Sequence, residues 1–203
     1  MTRSAGALLA GLVALTAALA AGHLLGPDLA VRDWVLAHRF GPLWWLARSL
    51  NHLGSANLLA AGCLVVAVPA AVRDRTWRPL LAVVAAYALS YLVVGPLKLL
   101  FDRAAPRSPL ADAVDLFGDP GGLSYPSGHV VNAVIWYGVL ALLLDAWSRG
   151  RLPGPVHRAL RVVPPVLVSA TVTYLAFHWV TDVLAGLALG LLLDRLLTRL
   201  IRR

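Results

Sequence analysis

Three short segments of the chain carry side chains whose types and spacing suit the transfer of a phosphoryl group. Lys98 opens the first, Ser127-Gly128-His129 stands directly before an apolar run, and His178 and Asp182 lie four residues apart. Residues four apart share one face of a helix, so the Asp182 carboxylate can orient the His178 ring and make it a better nucleophile. His129 can then protonate a leaving oxygen. We expect His178, His129 and Asp182 to be the catalytic residues.

The phosphate itself would be held by Lys98 and by the start of a helix at Ser127 and Gly128. The first N–H groups of a helix have no partner within it, and the positive end of the helix dipole lies there, so this position attracts anions. Glycine also allows the backbone to come close to a phosphate. Two histidines and an aspartate could instead bind a metal ion, but a metal cation would repel the nearby lysine. The residues therefore favour phosphoryl transfer with no metal and no cofactor.

Each motif also has a purely structural interpretation when it is taken alone. A His-x-x-x-Asp pair is often a surface hydrogen bond, and Pro-Ser-Gly-His can be a turn followed by a helix cap. Lys98 can be a lysine that extends its amine towards the membrane surface. The three motifs together, in this order, favour one active site over three unrelated features.

The elements that must position these segments are apolar. Hydrophobic residues make up 59% of the 203 residues and charged residues only 14%, against roughly 25% charged in a typical soluble domain. The mean hydropathy is +0.74. The formal net charge is +8, but the basic residues form short clusters between apolar runs and not one stripe with interleaved aromatic residues, which argues against nucleic-acid binding. The composition indicates an integral membrane protein.

Six apolar stretches follow one another along the chain, each close to the roughly 20 residues that a helix needs to cross a bilayer. They run over residues 5–25, 55–72, 79–100, 129–147, 160–177 and 181–198. We therefore predict an all-α membrane protein with six transmembrane helices, in a single domain of residues 1–203. Arg3 and Ala18-Leu19-Ala20 in the first stretch also resemble a secretory signal with its cleavage site. The apolar run continues to Leu25, however, which favours a retained helix.

Residues 27–54 have a different pattern, in which charged residues alternate with tryptophans and leucines. Such a mixture is typical of an amphipathic helix, or a helix pair, that lies in the membrane interface with its tryptophans at headgroup level. We favour this anchoring interpretation over that of a substrate-guiding element beside the active site.

The distribution of basic residues predicts the orientation of the chain. With six spans and both termini in the cytoplasm, twelve of the eighteen lysines and arginines lie on the cytoplasmic side, where membrane proteins carry their excess of positive residues. The two loops that hold the candidate residues, 98–128 and 178–181, then share the extracytoplasmic face. We predict a protein of a bacterial plasma membrane whose active site faces outwards.

The motifs and the helix count resemble those of the type 2 phosphatidic acid phosphatases, a superfamily of membrane lipid phosphatases with a six-helix core. The family motifs are Lys-x6-Arg-Pro, Pro-Ser-Gly-His and Ser-Arg-x5-His-x3-Asp. Segments 98–129 and 171–182 of this chain keep Lys98, the whole second motif, and His178 with Asp182. The resemblance implies hydrolysis of a lipid phosphate or diphosphate through a phosphohistidine on His178, without a metal.

Two arginines of the family motifs are replaced. Ala105 stands in the first motif and Val172 in the third, where the family has arginines that grip phosphate oxygens. Arginine binds phosphate through two parallel hydrogen bonds, so both losses should weaken binding. Arg103 and Arg107 flank the first gap, and we consider Arg103 as the replacement. Its structural alternative is a salt bridge with Asp102.

The expected substrates are polyprenyl phosphates or diphosphates, phosphatidylglycerol phosphate and phosphatidic acid, and the sequence does not choose among them. The expected partners are therefore a lipid phosphate and the bilayer, with no nucleic acid. A second hypothesis is a family member that binds a lipid phosphate or a membrane partner with weak or no hydrolysis, because the two arginines are missing. The intact His129, His178 and Asp182 favour the enzyme.

Overall fold

The structure, a computed structural model, describes residues 3–118 and 121–202. Within these residues the regular structure is helical, apart from an isolated β-bridge between Arg103 and Leu123. The helices are α1 (Arg3–Ala20), α2 (Leu25–Ala37), α3 (Gly41–Leu50), α4 (Ala56–Asp74), α5 (Arg78–Leu89), α6 (Gly95–Phe101), α7 (Gly128–Trp147), α8 (Gly154–Tyr174) and α9 (Val180–Arg202). A 3-10 turn (Asn51–Gly54) follows α3, and a π-helical turn (Ser90–Val94) joins α5 to α6. The predicted all-α fold is confirmed.

Each predicted apolar stretch lies mostly in helical structure, but the helices differ in how well they suit a bilayer. Of the described helices, three are long and apolar enough to cross a membrane: Ala56–Asp74, Gly128–Trp147, and Arg78–Phe101, which is α5, the π-helical turn and α6 in one run. Ser4–Ala20 and Leu25–Ala37 would add a fourth span if they count as one segment, bent by 83°. The count of six transmembrane helices therefore stays a prediction.

Helix α7 lies at the centre of the bundle, between α4, α8 and α9. Its larger apolar side chains with no exposed surface are Val130, Val131, Ile135, Trp136 and Val139. Small residues allow helices in a membrane to pack closely, and α9 meets α7 at two glycines. A Cβ added to Gly186 would lie 2.8 Å from the Ser127 carbonyl oxygen, and one added to Gly190 would lie 2.9 Å from Val134 Cβ. These glycines bring α9 against the N-terminal half of α7.

The long connection between α6 and α7 folds back over the start of α9. Its two ends run side by side, because the Ser124 N–H donates to the Arg103 carbonyl oxygen at 2.9 Å. Gly122 makes this approach possible, since a Cβ there would lie 2.6 Å from the Arg103 carbonyl carbon. The connection therefore lies at the same end of the bundle as His178.

The segment 27–54 lies within α2, α3 and the 3-10 turn. Trp34, Phe40 and Trp45 are exposed, which suits contact with a membrane interface, and that location stays a prediction. The segment also reaches the candidate site: Asp28 is fully buried, and a Cβ on Gly54 would lie 2.9 Å from His129 Cβ. The anchoring interpretation is therefore incomplete, because the segment also forms part of the wall around the site.

Candidate active site

A cavity of about 640 Å³ opens where the α6–α7 connection meets the start of α9. All three predicted motifs contribute to its lining through Lys98, His129 and His178. Arg48 of α3 and Arg107 of the connection also line it. No carboxylate among the described residues does so. A cavity lined by cations and histidines is suited to an anionic ligand.

His178 lies in the turn before α9, and Asp182 lies in the first turn of that helix. The His178 Nδ1 atom is 3.5 Å from Asp182 Oδ2 and 3.3 Å from Ser124 Oγ. Ser124 in turn donates to Asp182 Oδ2 at 2.5 Å, and the Trp179 N–H donates to the same oxygen at 2.9 Å. Acceptors on the Nδ1 side favour the tautomer that carries its proton there. The Nε2 lone pair is then free for attack.

Arg103 is fully buried beneath this pair. Its Nη1 donates to Asp182 Oδ1 at 2.6 Å and to Thr181 Oγ1 at 2.8 Å. Its Nη2 donates to Asp28 Oδ2 and to Val114 O, both at 2.7 Å, and its Nε donates to Val114 O at 2.9 Å. All five N–H groups of the guanidinium therefore have acceptors. This corrects the prediction that Arg103 replaces a phosphate-binding arginine, because no donor remains for a phosphate.

Asp28 completes this buried cluster from α2. Its Oδ1 accepts the Thr181 N–H at 3.0 Å, and its Oδ2 accepts the Thr181 hydroxyl as well as Arg103. The alternative partner considered for Arg103, Asp102, instead accepts the Gly121 N–H at 3.3 Å. Arg103 thus joins two carboxylates from α2 and α9, and one of them is the Asp182 that orients His178.

His129 stands in the first turn of α7 and faces His178, with 6.1 Å between the two ring centroids. Its Nε2 lies 3.4 Å from Asn51 Nδ2 in the 3-10 turn. Reacting atoms need an approach of about 3–3.5 Å, so one phosphoryl group between the rings could contact both. The arrangement allows His178 to act as nucleophile and His129 as proton donor.

Lys98 lies along the N-terminus of α7. Its amine donates to Leu123 O, and its Cε would lie 3.2 Å from a Cβ placed on Gly128. Ser127 is placed differently, because it is fully buried and its N–H donates to Asp182 O at 3.0 Å. The structure therefore brings Lys98 and Gly128 together in the lining of the cavity. Ser127 does not line the cavity and instead connects the start of α7 to α9.

The two positions that lack the family arginines have opposite surroundings. Ala105 lines the cavity, so a longer side chain there would reach a ligand. Val172 has no exposed surface and packs among Val130, Val168 and Val183. An arginine at position 172 would be placed in an apolar cluster without an acidic partner, which is unfavourable. Only the gap at Ala105 is open to replacement by a neighbour.

Tyr125 ties the site to α1. Its phenol oxygen is 2.6 Å from Thr16 Oγ1, and its side chain is almost fully buried. Burial raises the pKa of the Tyr125 phenol, so the group stays neutral and hydrogen-bonded. The contact holds the segment that leads into α7 against the first helix.

Four residues that contact the candidate catalytic residues or their buried cluster were not predicted from the sequence, namely Asp28, Ser124, Thr181 and Asn51. Ser124 had a weak signal, because it lies two residues before the second motif. Asp28 is 75 residues from Arg103 in the chain and lies in a segment with an interfacial pattern. No local pattern could have indicated that contact.

Comparisons with known proteins agree with this fold. A model of the PAP2 superfamily matches residues 79–203. Phosphatidylglycerophosphatase B of Bacillus subtilis (strain 168) is 29% identical over 185 residues, which cover 88% of this chain and 85% of that protein. The crystal structure of the first transmembrane PAP2 type phosphatidylglycerolphosphate phosphatase from Bacillus subtilis is similar with a TM-score of 0.79 and 27% identity, over 97% of this chain and 94% of that one. The chain therefore belongs to the PAP2 superfamily, the membrane lipid phosphatases that its motifs resemble.

Proposed function

We propose that this protein hydrolyses a lipid phosphate through a phosphohistidine intermediate on His178. The observation that carries the proposal is the setting of His178. Its Nδ1 side faces Ser124 and Asp182, while its ring faces His129 in a cavity lined by cations. Membership of a phosphatase superfamily supports the reaction class.

In the first step, Nε2 of His178 attacks phosphorus, and the bond between phosphorus and the lipid oxygen breaks. Protonated His129 gives its proton to that oxygen. The lipid leaves as an alcohol, or as a lipid monophosphate if the substrate is a diphosphate. The Asp182 carboxylate stabilises the positive charge that the His178 ring gains when it is phosphorylated.

In the second step, water attacks the phosphohistidine. His129, now neutral, accepts a proton from that water, the bond between phosphorus and Nε2 breaks, and inorganic phosphate leaves. In both steps the Lys98 amine and the first N–H groups of α7 at Gly128 balance the negative charge on the phosphoryl oxygens. Ser127, which lies outside the cavity lining, would act only by fixing the start of α7.

The substrate proposed first is phosphatidylglycerol phosphate. Its support is the names of two similar proteins, a phosphatidylglycerophosphatase and a phosphatidylglycerolphosphate phosphatase. Phosphatidic acid and polyprenyl phosphates or diphosphates are the alternatives that the same chemistry would accept.

The test is phosphate release by purified protein from a panel of these four lipid classes, with His178→Ala as the matched control. We expect release from phosphatidylglycerol phosphate by wild type and none by the variant. We also expect release to persist in EDTA, because the Lys98 amine lines the same cavity as the two histidines and would repel a metal cation there. Equal release by wild type and His178→Ala, or none from any lipid, would exclude the proposal.

A second candidate function is lipid phosphate binding without hydrolysis. The replacement of two family arginines by Ala105 and Val172 is the observation that favours it. The same panel separates the two functions, since a binder would retain lipid phosphates and release no phosphate from them.

A further inference from the structure

Two arginines that line the cavity lack acidic partners among the described residues. Arg48 comes from α3 and Arg107 from the α6–α7 connection, and both are exposed. Neither makes an ion pair or a side-chain hydrogen bond with another described residue. Other arginines of the chain are bound to carboxylates, as Arg103 is to Asp28 and Arg73 is to Asp74.

Both guanidinium groups lie against the same aromatic ring. The Arg107 Cζ atom is 4.3 Å from the centroid of Phe177, and the Arg48 Cζ atom is 5.6 Å from it. Arg48 also lies 5.8 Å from the Trp44 ring. A guanidinium over an aromatic ring is held by a cation–π attraction. Its N–H groups lie in its own plane and stay free to bind a phosphate.

Phe177 places the two arginines beside the reacting atoms. It directly precedes His178 in the chain, and both residues line the cavity. Arg107 also lies two residues after Ala105, which lines the cavity and stands where the family motif has an arginine. Two arginines without an acidic partner among the described residues therefore lie beside His178 in the cavity lining.

We propose that Arg48 and Arg107, held against Phe177, bind the oxygens of the phosphoryl group that His178 attacks. This inference rests on the proposed function and adds two substrate-binding residues to it. The charge of a phosphate monoester is close to −2 at neutral pH, and Lys98 alone neutralises only part of it. The two guanidinium groups supply the remaining positive charge, and they do so from sequence positions outside the three motifs.

The test uses the full chain with Arg48→Gln, Arg107→Gln and the double variant. Arg73→Gln is the matched control, because its guanidinium also lies over an aromatic ring, 4.5 Å from the centroid of Trp147, and away from the cavity. We expect kcat/KM to fall at least about tenfold for each single variant and at least about a hundredfold for the double variant. Arg107→Lys should recover part of the loss, since it keeps the charge without the two parallel hydrogen bonds. Arg73→Gln should stay within about twofold of wild type.

Inhibition by inorganic phosphate and by vanadate is the second measurement, because both anions lack a lipid. We expect their inhibition constants to rise in parallel with the loss of kcat/KM. Unchanged inhibition constants, together with a lower kcat/KM for the lipid substrate, would overturn the inference. The arginines would then contact the lipid leaving group and not the phosphoryl group. Full activity in the double variant would overturn it as well and leave the proposed function standing.

Direct vanadate binding keeps the inference independent of turnover. If wild type hydrolyses no lipid phosphate but binds vanadate, and the double variant binds it at least about tenfold more weakly, the proposed function fails and the two arginines remain the anion site. If wild type does not bind vanadate, both fail.

Discussion

Arg103 joins two buried carboxylates beneath the proposed catalytic pair, His178 and Asp182. Its guanidinium is fully buried and lies between Asp28 and Asp182, and each of its five N–H groups has an acceptor. A buried ion pair that loses one partner leaves an uncompensated charge behind. We therefore expect Arg103 to contribute to activity indirectly, through the position of the Asp182 carboxylate beside His178.

Arg103→Gln should lower stability and activity together. Removing the cation leaves two buried carboxylates without their partner, which typically lowers the free energy of unfolding by about 3–5 kcal/mol. Thermal unfolding of the purified protein in detergent should show a clearly lower Tm for Arg103→Gln, with Arg107→Gln close to wild type. An Arg103→Gln protein with the wild-type Tm and a selective loss of phosphate binding would contradict this assignment.

Ser124→Ala should slow catalysis without weakening substrate binding. The hydroxyl lies between His178 Nδ1 and Asp182 Oδ2, at 3.3 Å and 2.5 Å, so its loss loosens the orientation of the nucleophile. We expect kcat to fall about tenfold or more while KM stays within about twofold. Steady-state kinetics decide the matter, since a change confined to KM would show that Ser124 binds substrate and does not position His178.

The sequence was sufficient to single out the candidate catalytic residues, because they lie in short motifs with fixed spacing. His178 and Asp182 are four residues apart, and His129 follows a helix-start pattern. It was not sufficient for the residues that support them, because those contacts join distant parts of the chain. The prediction that Arg103 replaces a phosphate-binding arginine was wrong, since spacing from Ala105 says nothing about which neighbouring arginine is buried.

The contact between α7 and α9 sets the distance between the two histidines, because His129 lies in the first turn of α7 and His178 lies in the turn directly before α9. Gly186 allows the close approach, since a Cβ there would meet the Ser127 carbonyl oxygen at 2.8 Å. A backbone oxygen cannot move aside as a flexible side chain can. The packing of two helices is thus coupled to the chemistry at their ends.

Gly186→Ala should therefore push the start of α9 away from α7 and lower kcat by at least about tenfold, with a lower Tm. Gly62→Ala is the control, because a Cβ on Gly62 meets nothing within 4 Å, and alanine is the better helix former. Phosphate release and thermal unfolding of both variants provide the comparison. A fully active Gly186→Ala protein would show that the spacing of the helices tolerates an added methyl group.

The helices that are apolar throughout were predicted closely. The stretch 55–72 became Ala56–Asp74, and 129–147 became Gly128–Trp147. Helix α8 was predicted less well, because it begins at Gly154, six residues ahead of the stretch 160–177, with a start that carries His157 and Arg158. Apolarity alone does not mark such a polar start. The π-helical turn between α5 and α6 had no sequence signal that we used.

The candidate site lies at one end of the helix bundle. The α6–α7 connection and the start of α9 meet there, whereas Arg73 contacts the Trp147 carbonyl oxygen where α4 and α7 end. The positive-inside rule predicts that this second end faces the cytoplasm. Orientation in the membrane is therefore a prediction about the whole chain.

Single cysteines introduced on a Cys63→Ala background test this orientation of the chain in the membrane. Cys63 is buried, so its removal leaves the surface unchanged. We expect a cysteine at Leu110, which is exposed in the α6–α7 connection, to react with a membrane-impermeant thiol reagent applied to intact cells. A cysteine at Arg151, exposed between α7 and α8, should react only after the cells are opened. The opposite labelling pattern would place the active site in the cytoplasm.

The most direct test of the account is to trap the phosphoenzyme. Purified protein would be mixed with a lipid phosphate labelled in its terminal phosphate and quenched within the first turnover. We predict a labelled protein whose phosphate survives alkali and is lost in acid, as expected for phosphohistidine, and no label in His178→Ala. A label that persists in His178→Ala, or one that survives acid, would contradict the assignment of His178 as the nucleophile.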